Sequence, residues 1–117
     1  MDKTKLKSLL ISIDTTIKQS MQKLNTTAER ILFVVDENNR LLGTLTDGDI
    51  RRGIINGLEF NDRVEKIMHR KFTAITSDMP EIEEHAKRLM IQKKIEQVPL
   101  LDNKGITFFH IRYMEKA

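Results

Sequence analysis

The stretch ILFVVDENNRLLGTLTDGDIRR, residues 31–52, decides the fold. It opens with Ile31–Val35, an unbroken apolar run of the kind found in strands that are buried on both faces. Residues 37–40 are polar and form a turn, so Leu41–Leu45 is predicted to return as the antiparallel partner in a hairpin. A helix is then predicted over 47–57, because isoleucines recur there at helical spacing and the segment ends on a glycine, a common helix stop.

The same pattern occurs a second time in the chain. Val98–Leu101 is another apolar run, and like the first run it is followed directly by an aspartate. The separation between these aspartates, Asp36 and Asp102, nearly equals the separation between the earlier pair, Asp14 and Asp78. Matches in the same order at a nearly constant offset indicate an internal repeat.

One helix is predicted between each early aspartate and its apolar run. Asp14 and Asp78 are predicted as the N-cap residues, because aspartate side chains accept hydrogen bonds from the free N–H groups of a helix start. Apolar residues then recur at spacings of four and three, which predicts one buried stripe on each helix. The stripes are Ile17, Met21 and Leu24 in the first helix and Ile82, Ala86 and Leu89 in the second.

Each unit therefore follows the order β-α-β-β-α, and the predicted fold class is α/β. The predicted boundaries are 1–58 for the first repeat with its lead-in, 59–63 for a polar linker, and 64–117 for a second repeat that is truncated before its final helix. A unit of about 50 residues buries too little apolar surface to be stable alone. We therefore expect the two repeats to pack sheet to sheet around one shared core with pseudo-twofold symmetry.

The composition of the 117 residues excludes several classes of function. Lysine and arginine number 20 against 17 acidic residues, and this small, scattered excess does not predict a nucleic-acid partner. No apolar run approaches the ~20 residues needed to span a bilayer, so no membrane partner is expected. Cysteine is absent, which excludes disulfides and thiolate metal sites and fits a cytoplasmic location.

Thr46 and Asp49 stand at the start of the predicted helix and admit two interpretations. The Thr-x-x-Asp spacing is that of a capping box, which needs no ligand. The same helix start also offers free N–H groups and a partial positive charge to a phosphate. Arg52 lies three residues after Asp49 on the same helix face, so we choose it over Arg51 as a phosphate ligand. Asp47 and Asp49 resemble a metal-binding Asp-x-Asp, but no further acidic residue converges there, and we predict neither a metal site nor a catalytic residue.

A known family matches these residues. The run Gly43-Thr44-Leu45-Thr46-Asp47-Gly48-Asp49-Ile50 after a hairpin resembles the CBS domain, the cystathionine β-synthase repeat. Val98-Pro99-Leu100-Leu101-Asp102 resembles the corresponding strand of a second copy, and the likeness extends from about Leu6 to about His110. The resemblance implies a tandem pair of repeats, the arrangement in which this family occurs.

More narrowly, residues 43–52 are similar to CBS pairs attached to bacterial sugar-phosphate enzymes. In sugar-1-phosphate nucleotidyltransferases of the mannose-1-phosphate guanylyltransferase type, the pair precedes the catalytic domain. In arabinose-5-phosphate isomerases, the pair follows it. The first repeat begins a few residues after Met1, which favours a nucleotidyltransferase catalytic domain as the partner.

The resemblance also implies a ligand and roles for four residues. The expected ligand is an adenine nucleotide, AMP, ADP or ATP, and no cofactor is expected. The family pattern implies that Asp49 accepts hydrogen bonds from the ribose hydroxyls, while Thr46 and Arg52 meet the phosphate. Ile13 matches a position whose backbone contacts the base, although an apolar residue there can equally be part of the core.

The second repeat departs from the family pattern. No Thr-x-x-Asp follows Asp102, and Tyr113 stands near the place of the aspartate. His110 resembles a Leu-His pattern found in nucleotidyltransferase-linked pairs. A second, symmetrical nucleotide site is therefore not predicted.

Two functions from different classes remain open. The first is a regulatory module that senses an adenine nucleotide and transmits its presence to a nucleotidyltransferase domain. The second is a ligand-free dimerisation scaffold in which Thr46 and Asp49 only cap a helix. We also expect a homodimer through helix faces, because several apolar residues exceed what one small core needs and methionine suits contact surfaces. These residues are Met21, Ile54, Met68 and Met90.

Overall fold

The computed structural model describes residues 3–27 and 29–112. Its helices and strands are α1 (Lys3–Ser8), β1 (Leu10–Ser12), α2 (Ile17–Thr27), β2 (Ile31–Val35), β3 (Leu41–Thr46), α3 (Asp47–Ile55), a 3-10 helix (Val64–Lys66), β4 (Ile75–Thr76), α4 (Ile82–Lys93), β5 (Gln97–Leu101) and β6 (Thr107–Arg112). Within these residues, no helix combines the length and the apolar character that crossing a membrane requires.

Two three-stranded sheets carry the internal repeat. In the first sheet β1 runs parallel to β2, and β2 pairs with β3 in an antiparallel hairpin. The second sheet has the same order and directions in β4, β5 and β6. Both hairpins also shift register at the same place, between Val34 and Val35 in the first and between Leu100 and Leu101 in the second. The predicted α/β fold of two equivalent units is confirmed.

The turns of the two hairpins meet each other. Arg40 and Ile106 form an isolated antiparallel bridge, and the N–H of Leu41 donates to the carbonyl of Gly105 at 2.9 Å. Arg40 and Ile106 are equivalent positions of the two repeats, because the offset that relates Asp36 to Asp102 also relates these two residues. A contact between a position and its own equivalent is what a twofold axis produces. The repeats are thus related by a pseudo-twofold axis that passes near these turns.

The buried apolar residues form two clusters, so the expectation of one shared core was wrong. The larger cluster lies on the first sheet, and the smaller one lies between the second sheet and α4. The cause is that the long helix after the first strand of each repeat covers its own sheet, since α2 contacts β2 and α4 contacts β5, while α1 contacts β6 of the other repeat. Val64, Met68 and Leu101 of the second repeat join the larger cluster, which makes the packing of the two repeats unequal.

The predicted N-caps of α2 and α4 were also wrong. Thr16 caps α2 instead, because its hydroxyl accepts from the N–H of Gln19 at 3.1 Å and the Gln19 side chain accepts from the N–H of Thr16 at 3.0 Å. This reciprocal capping box lies nearer the helix than Asp14, which pairs with Arg63 at 3.0 Å. Asp78 accepts from the hydroxyl of Thr76 and lies four residues before α4 begins.

The buried stripes of the two helices differ in part from those predicted. Helix α2 buries Ile17 and Leu24, but 41% of the surface of Met21 is exposed. The buried face turns away from Met21 toward Ser20, whose hydroxyl donates to the carbonyl of Ile17 at 2.7 Å. In α4, Ala86 and Met90 are buried, while Ile82 and Leu89 are partly buried against the smaller cluster.

Hydrogen bonds fix the linker between the repeats. The N–H groups of Ile17 and Lys18 donate to the carbonyls of Asp62 and Phe60 at 2.8 and 3.0 Å. The carboxylate of Asp62 accepts from the N–H of Glu59 at 2.7 Å and from the ammonium of Lys66 at 3.1 Å. These two donors, the backbone N–H foremost, lower the pKa of Asp62 below its ordinary value of 3.8.

A second connection joins the repeats at the outer edge of β3. The N–H of His69 donates to the carbonyl of Thr44 at 2.8 Å, and the N–H of Thr44 donates to the carbonyl of His69 at 3.0 Å. Gly43 makes this approach possible, because a Cβ there would lie 3.0 Å from the carbonyl oxygen of His69 and 3.1 Å from the side chain of Met68. The segment that leads into the second repeat is therefore held against the first sheet.

Candidate functional site

Thr46 and Asp49 form the predicted capping box at the start of α3. The N–H and the hydroxyl of Thr46 donate to Oδ2 of Asp49 at 2.9 and 3.0 Å, and the N–H of Asp49 approaches the Thr46 hydroxyl at 3.4 Å. Thr46 has extended backbone angles, as an N-cap residue should. The local sequence thus fixes the Asp49 carboxylate at the first turn of the helix.

Arg52 contacts the other oxygen of the same carboxylate. Its Nη2 donates to Oδ1 of Asp49 at 2.8 Å, across one turn of α3. The two partners differ in exposure, because 68% of the Arg52 side chain is accessible and only 12% of the Asp49 side chain. A carboxylate oxygen has about two lone pairs, so Oδ1 retains capacity for a further donor.

Thr46, Asp49 and Arg52 line one cavity of about 440 Å³ between the two repeats. The first repeat contributes the segment before β2 together with β3 and α3, and the second contributes the end of α4 and the start of β5. The lining residues are 29–31, Thr44, Thr46, Asp49, Arg52, His69, Thr73, 94–97 and Pro99. The structure therefore brings together three of the four residues predicted from the sequence.

Ile13 lies apart from the other three. It is partly buried, packs against the larger hydrophobic cluster and is not part of the wall of this cavity. The physical reason is that the first repeat's capping box faces the second repeat, whereas Ile13 follows β1 on the first sheet. Within the described residues, the packing agrees with the alternative that Ile13 belongs to the core.

The sequence alone did not identify the wall that the second repeat contributes. Gln97, only 7% exposed, donates through Nε2 to the backbone carbonyl of Glu29 and to its Oε2 at 3.3 Å. Glu29 is itself 3% exposed, so this contact lies in the interior between the repeats. The offset that relates Asp36 to Asp102 could have identified this wall, because it makes 95–97 the equivalent of 29–31.

The remaining sequence predictions about chemistry concern metals and the second site. Among residues 3–27 and 29–112, no group of three His, Cys, Asp or Glu side chains could hold a metal ion. The carboxylate of Asp49, half of the suspected Asp-x-Asp, is engaged by Thr46 and Arg52. Tyr113 lies outside the described residues.

A family model and several known proteins are similar to this chain in sequence. The family model for the CBS domain matches residues 6–56. A CBS domain-containing protein of Dictyostelium discoideum is 35% identical over 104 residues, which cover 81% of this chain and 72% of that protein. The arabinose 5-phosphate isomerases GutQ of Salmonella typhi and Escherichia coli K12 are 27% and 26% identical over 95 residues, or 81% of this chain. The chain spans 29% of the length of these isomerases.

Solved structures share the fold at lower identity. A CBS domain protein of Pyrobaculum aerophilum, complexed with AMP, is 14% identical with a TM-score of 0.76, covering 89% of this chain and 79% of that one. The CBS domain pair of protein MJ0100, in complex with 5′-methylthioadenosine and S-adenosyl-L-methionine, is 22% identical with a TM-score of 0.75, covering 89% and 80%. The cytosolic domain of the Mg²⁺ channel MgtE, in complex with ATP, is 24% identical with a TM-score of 0.71, covering 89% and 41%.

The duplicated α/β fold, the family match over the first repeat and the 35% identity over most of both proteins agree with one another. The chain belongs to the CBS domain family.

Proposed function

We propose that this chain is a regulatory module that binds an adenine nucleotide between its two repeats and transmits the occupancy to a sugar-phosphate enzyme. The observation that carries the proposal is the position of Asp49, whose carboxylate lies at the first turn of α3 and lines the inter-repeat cavity. The cavity volume of about 440 Å³ falls within the range of roughly 300–1,000 Å³ that is usual for small-ligand sites.

The capping box leaves room for the roles that we assign to its residues. Ribose presents two neighbouring hydroxyl donors, and Oδ1 of Asp49 can accept one in addition to the guanidinium of Arg52. Arg52 can turn from Asp49 toward a phosphate at small cost, because an exposed ion pair contributes only about 0.2–1 kcal/mol. Thr46 stays in place as the N-cap, and its hydroxyl proton can turn from Oδ2 of Asp49 to the same phosphate, because the N–H of Thr46 still donates to that oxygen.

The ligands of the structural neighbours support an adenine nucleotide. AMP, ATP, S-adenosyl-L-methionine and 5′-methylthioadenosine are bound by proteins of the same fold, and all four contain an adenosine group. The adenosine group is therefore the part of the ligand that we expect this cavity to recognise.

Two catalytic partners fit the proposal. Residues 43–52 resemble the CBS pairs of both kinds of sugar-phosphate enzyme, and a sugar-1-phosphate nucleotidyltransferase domain is the first candidate. The identity of 25–27% to several arabinose 5-phosphate isomerases favours the isomerase as the second candidate. We propose a cytoplasmic location for the chain and for its partner enzyme. Mixing the chain with each purified catalytic domain and measuring its activity with and without AMP distinguishes them, because only the true partner should respond.

The homodimer remains part of the proposal, but on a different set of residues. Met68 and Met90, two of the four residues expected at the dimer surface, are buried in the two clusters. Met21 and Ile54 remain, and together with Phe60 they line a surface groove between α2 and the end of α3. We propose that this groove is the contact between two copies of the chain.

A ligand-free scaffold is the second candidate function, and one observation favours it. All three groups of the site already bond to one another, so the capping box is complete without a ligand. A thermal-shift screen with AMP, ADP, ATP and GMP separates the two functions. A ligand at 100 times its Kd stabilises the fold by roughly 2.7 kcal/mol, so an adenine nucleotide should raise the Tm. If none of the four nucleotides shifts the Tm, the scaffold is the better account.

A further inference from the structure

Two cations on the cavity wall have a left-handed backbone. The φ angles of Arg30 and Lys94 are 64° and 56°, in a backbone region that residues other than glycine rarely adopt. Glycine would relieve the steric conflict at both positions, and Lys94 is the C-cap of α4, where a left-handed glycine is common. Strained backbone of this kind concentrates at functional sites, which points to a use for the two side chains.

These two cations are also available to a ligand. Within residues 3–27 and 29–112, neither Arg30 nor Lys94 takes part in an ion pair, whereas Arg52 is paired with Asp49 at 2.8 Å. Both side chains are exposed and line the same cavity, one from each repeat. An anion in the cavity would therefore find two free cations and a third that is already engaged.

The charges on the cavity wall limit how much negative charge that anion can carry. Cations and carboxylates on the wall balance formally, three against three: Arg30, Arg52 and Lys94 against Glu29, Asp49 and Glu96. A phosphate monoester carries about two negative charges at pH 7, which the two free cations match. Each further phosphate adds negative charge to a wall whose remaining cation among the described residues, Arg52, is paired with Asp49, and which carries a buried carboxylate, Glu29.

We propose that Arg30 and Lys94 bind the phosphate of the nucleotide, and that the site selects a nucleoside monophosphate over the diphosphate and triphosphate. This inference rests on the proposed nucleotide site and adds to it two ligand-binding residues and a charge class for the ligand. It also gives each repeat one contact to the same phosphate group.

The test is calorimetric titration of the wild-type chain with AMP, ADP and ATP, repeated on charge-removing variants. We expect AMP to bind at least about tenfold more tightly than ATP, because unmatched charge opposes binding. Arg30→Gly and Lys94→Gly should each weaken AMP binding by about 10- to 150-fold without lowering the Tm, since glycine suits the left-handed backbone. Arg30→Gln and Lys94→Gln, which keep a side chain but remove the charge, should weaken AMP binding in the same way.

The matched control is Asn39→Gly. Asn39 has a φ of 64° in the first hairpin turn and is not part of the cavity wall, so its change to glycine should leave AMP affinity as it is. ATP binding as tight as AMP binding would overturn the selection of a monophosphate. AMP affinity unchanged in the glycine and glutamine variants would overturn the roles of Arg30 and Lys94. If the wild-type chain binds none of the three nucleotides, the proposed function itself fails and this inference falls with it.

Discussion

Replacing Asp49 with asparagine tests the capping box and the ligand site separately. The amide oxygen of Asn can still accept from the N–H of Thr46, but the charge that pairs with Arg52 is lost. An exposed ion pair contributes about 0.2–1 kcal/mol, and a carboxylate at a helix start about 0.3–1 kcal/mol. Asp49→Asn should therefore lower the free energy of unfolding by about 0.5–2 kcal/mol. Asp49→Ala should cost more, because the partly buried N–H of Thr46 would lose its partner at a cost of about 1–3 kcal/mol.

The effect on binding is expected to be larger than the effect on folding. Hydrogen bonds to a charged group contribute about 1.5–3 kcal/mol, so Asp49→Asn should weaken AMP binding by about 10- to 150-fold. The assay is calorimetric titration at a temperature well below the Tm, with circular dichroism to show that the variant is folded.

Asp47→Asn is the matched control. Asp47 lies in the same first turn of α3 and contributes the same charge to the helix start, but it does not line the cavity. Its replacement should cost only about 0.3–1 kcal/mol of stability and change AMP affinity by less than about threefold, because only the helix-dipole contribution is lost. Equal AMP affinities for wild type and Asp49→Asn would refute the reasoning and leave Asp49 as a helix cap alone.

Three further predictions concern packing, pH and assembly. Gly53→Ala should lower the free energy of unfolding by about 1 kcal/mol in a urea titration. A Cβ there would lie 2.6 Å from Cγ2 of Ile67, and the overpacking outweighs the better helix propensity of alanine. A variant more stable than wild type would contradict this packing. Because the pKa of Asp62 is lowered, the contribution of this carboxylate to stability is present above about pH 4 and is lost as the pH falls through that pKa. A carboxyl NMR titration should give a pKa below 3.8. A higher value would show that the linker contacts do not persist. Phe60→Asp should convert the proposed dimer to a monomer in sedimentation experiments at tens of micromolar, because a charge in the apolar groove opposes burial. A dimer in both wild type and variant would place the interface elsewhere.

The local parts of the fold could be predicted from the sequence because local signals determine them. The apolar run Ile31–Val35 and its hairpin partner were predicted within one residue of their bounds. The capping box of α3 was predicted at the residues that form it. The N-cap of α2 was missed, because Asp14 and Thr16 are both good N-cap residues and only the reciprocal bond from Gln19 decides between them.

The contacts between the repeats could not be predicted in the same way. Half of the cavity wall comes from the second repeat, mostly from the end of α4 and the start of β5, which lie far along the chain from Asp49. No local signal marks Arg30 or Lys94 as left-handed, since arginine and lysine are not residue types that favour this conformation. Met68 was assigned to the surface because its neighbours in the sequence do not show that it fills a gap in the other repeat's cluster.

The bridge between Thr44 and His69 covers a sheet edge that could otherwise pair with a strand of another molecule. Strand β3 is the last strand of the first sheet, so its outer edge would otherwise present unpaired N–H and C=O groups to any passing strand. The two hydrogen bonds between the backbones of Thr44 and His69 occupy the middle of that edge, and the approach across Gly43 leaves no space for another chain at the same point. The connection between the repeats therefore also protects an aggregation-prone edge, and a change that released residue 69 would expose a template for intermolecular β-pairing.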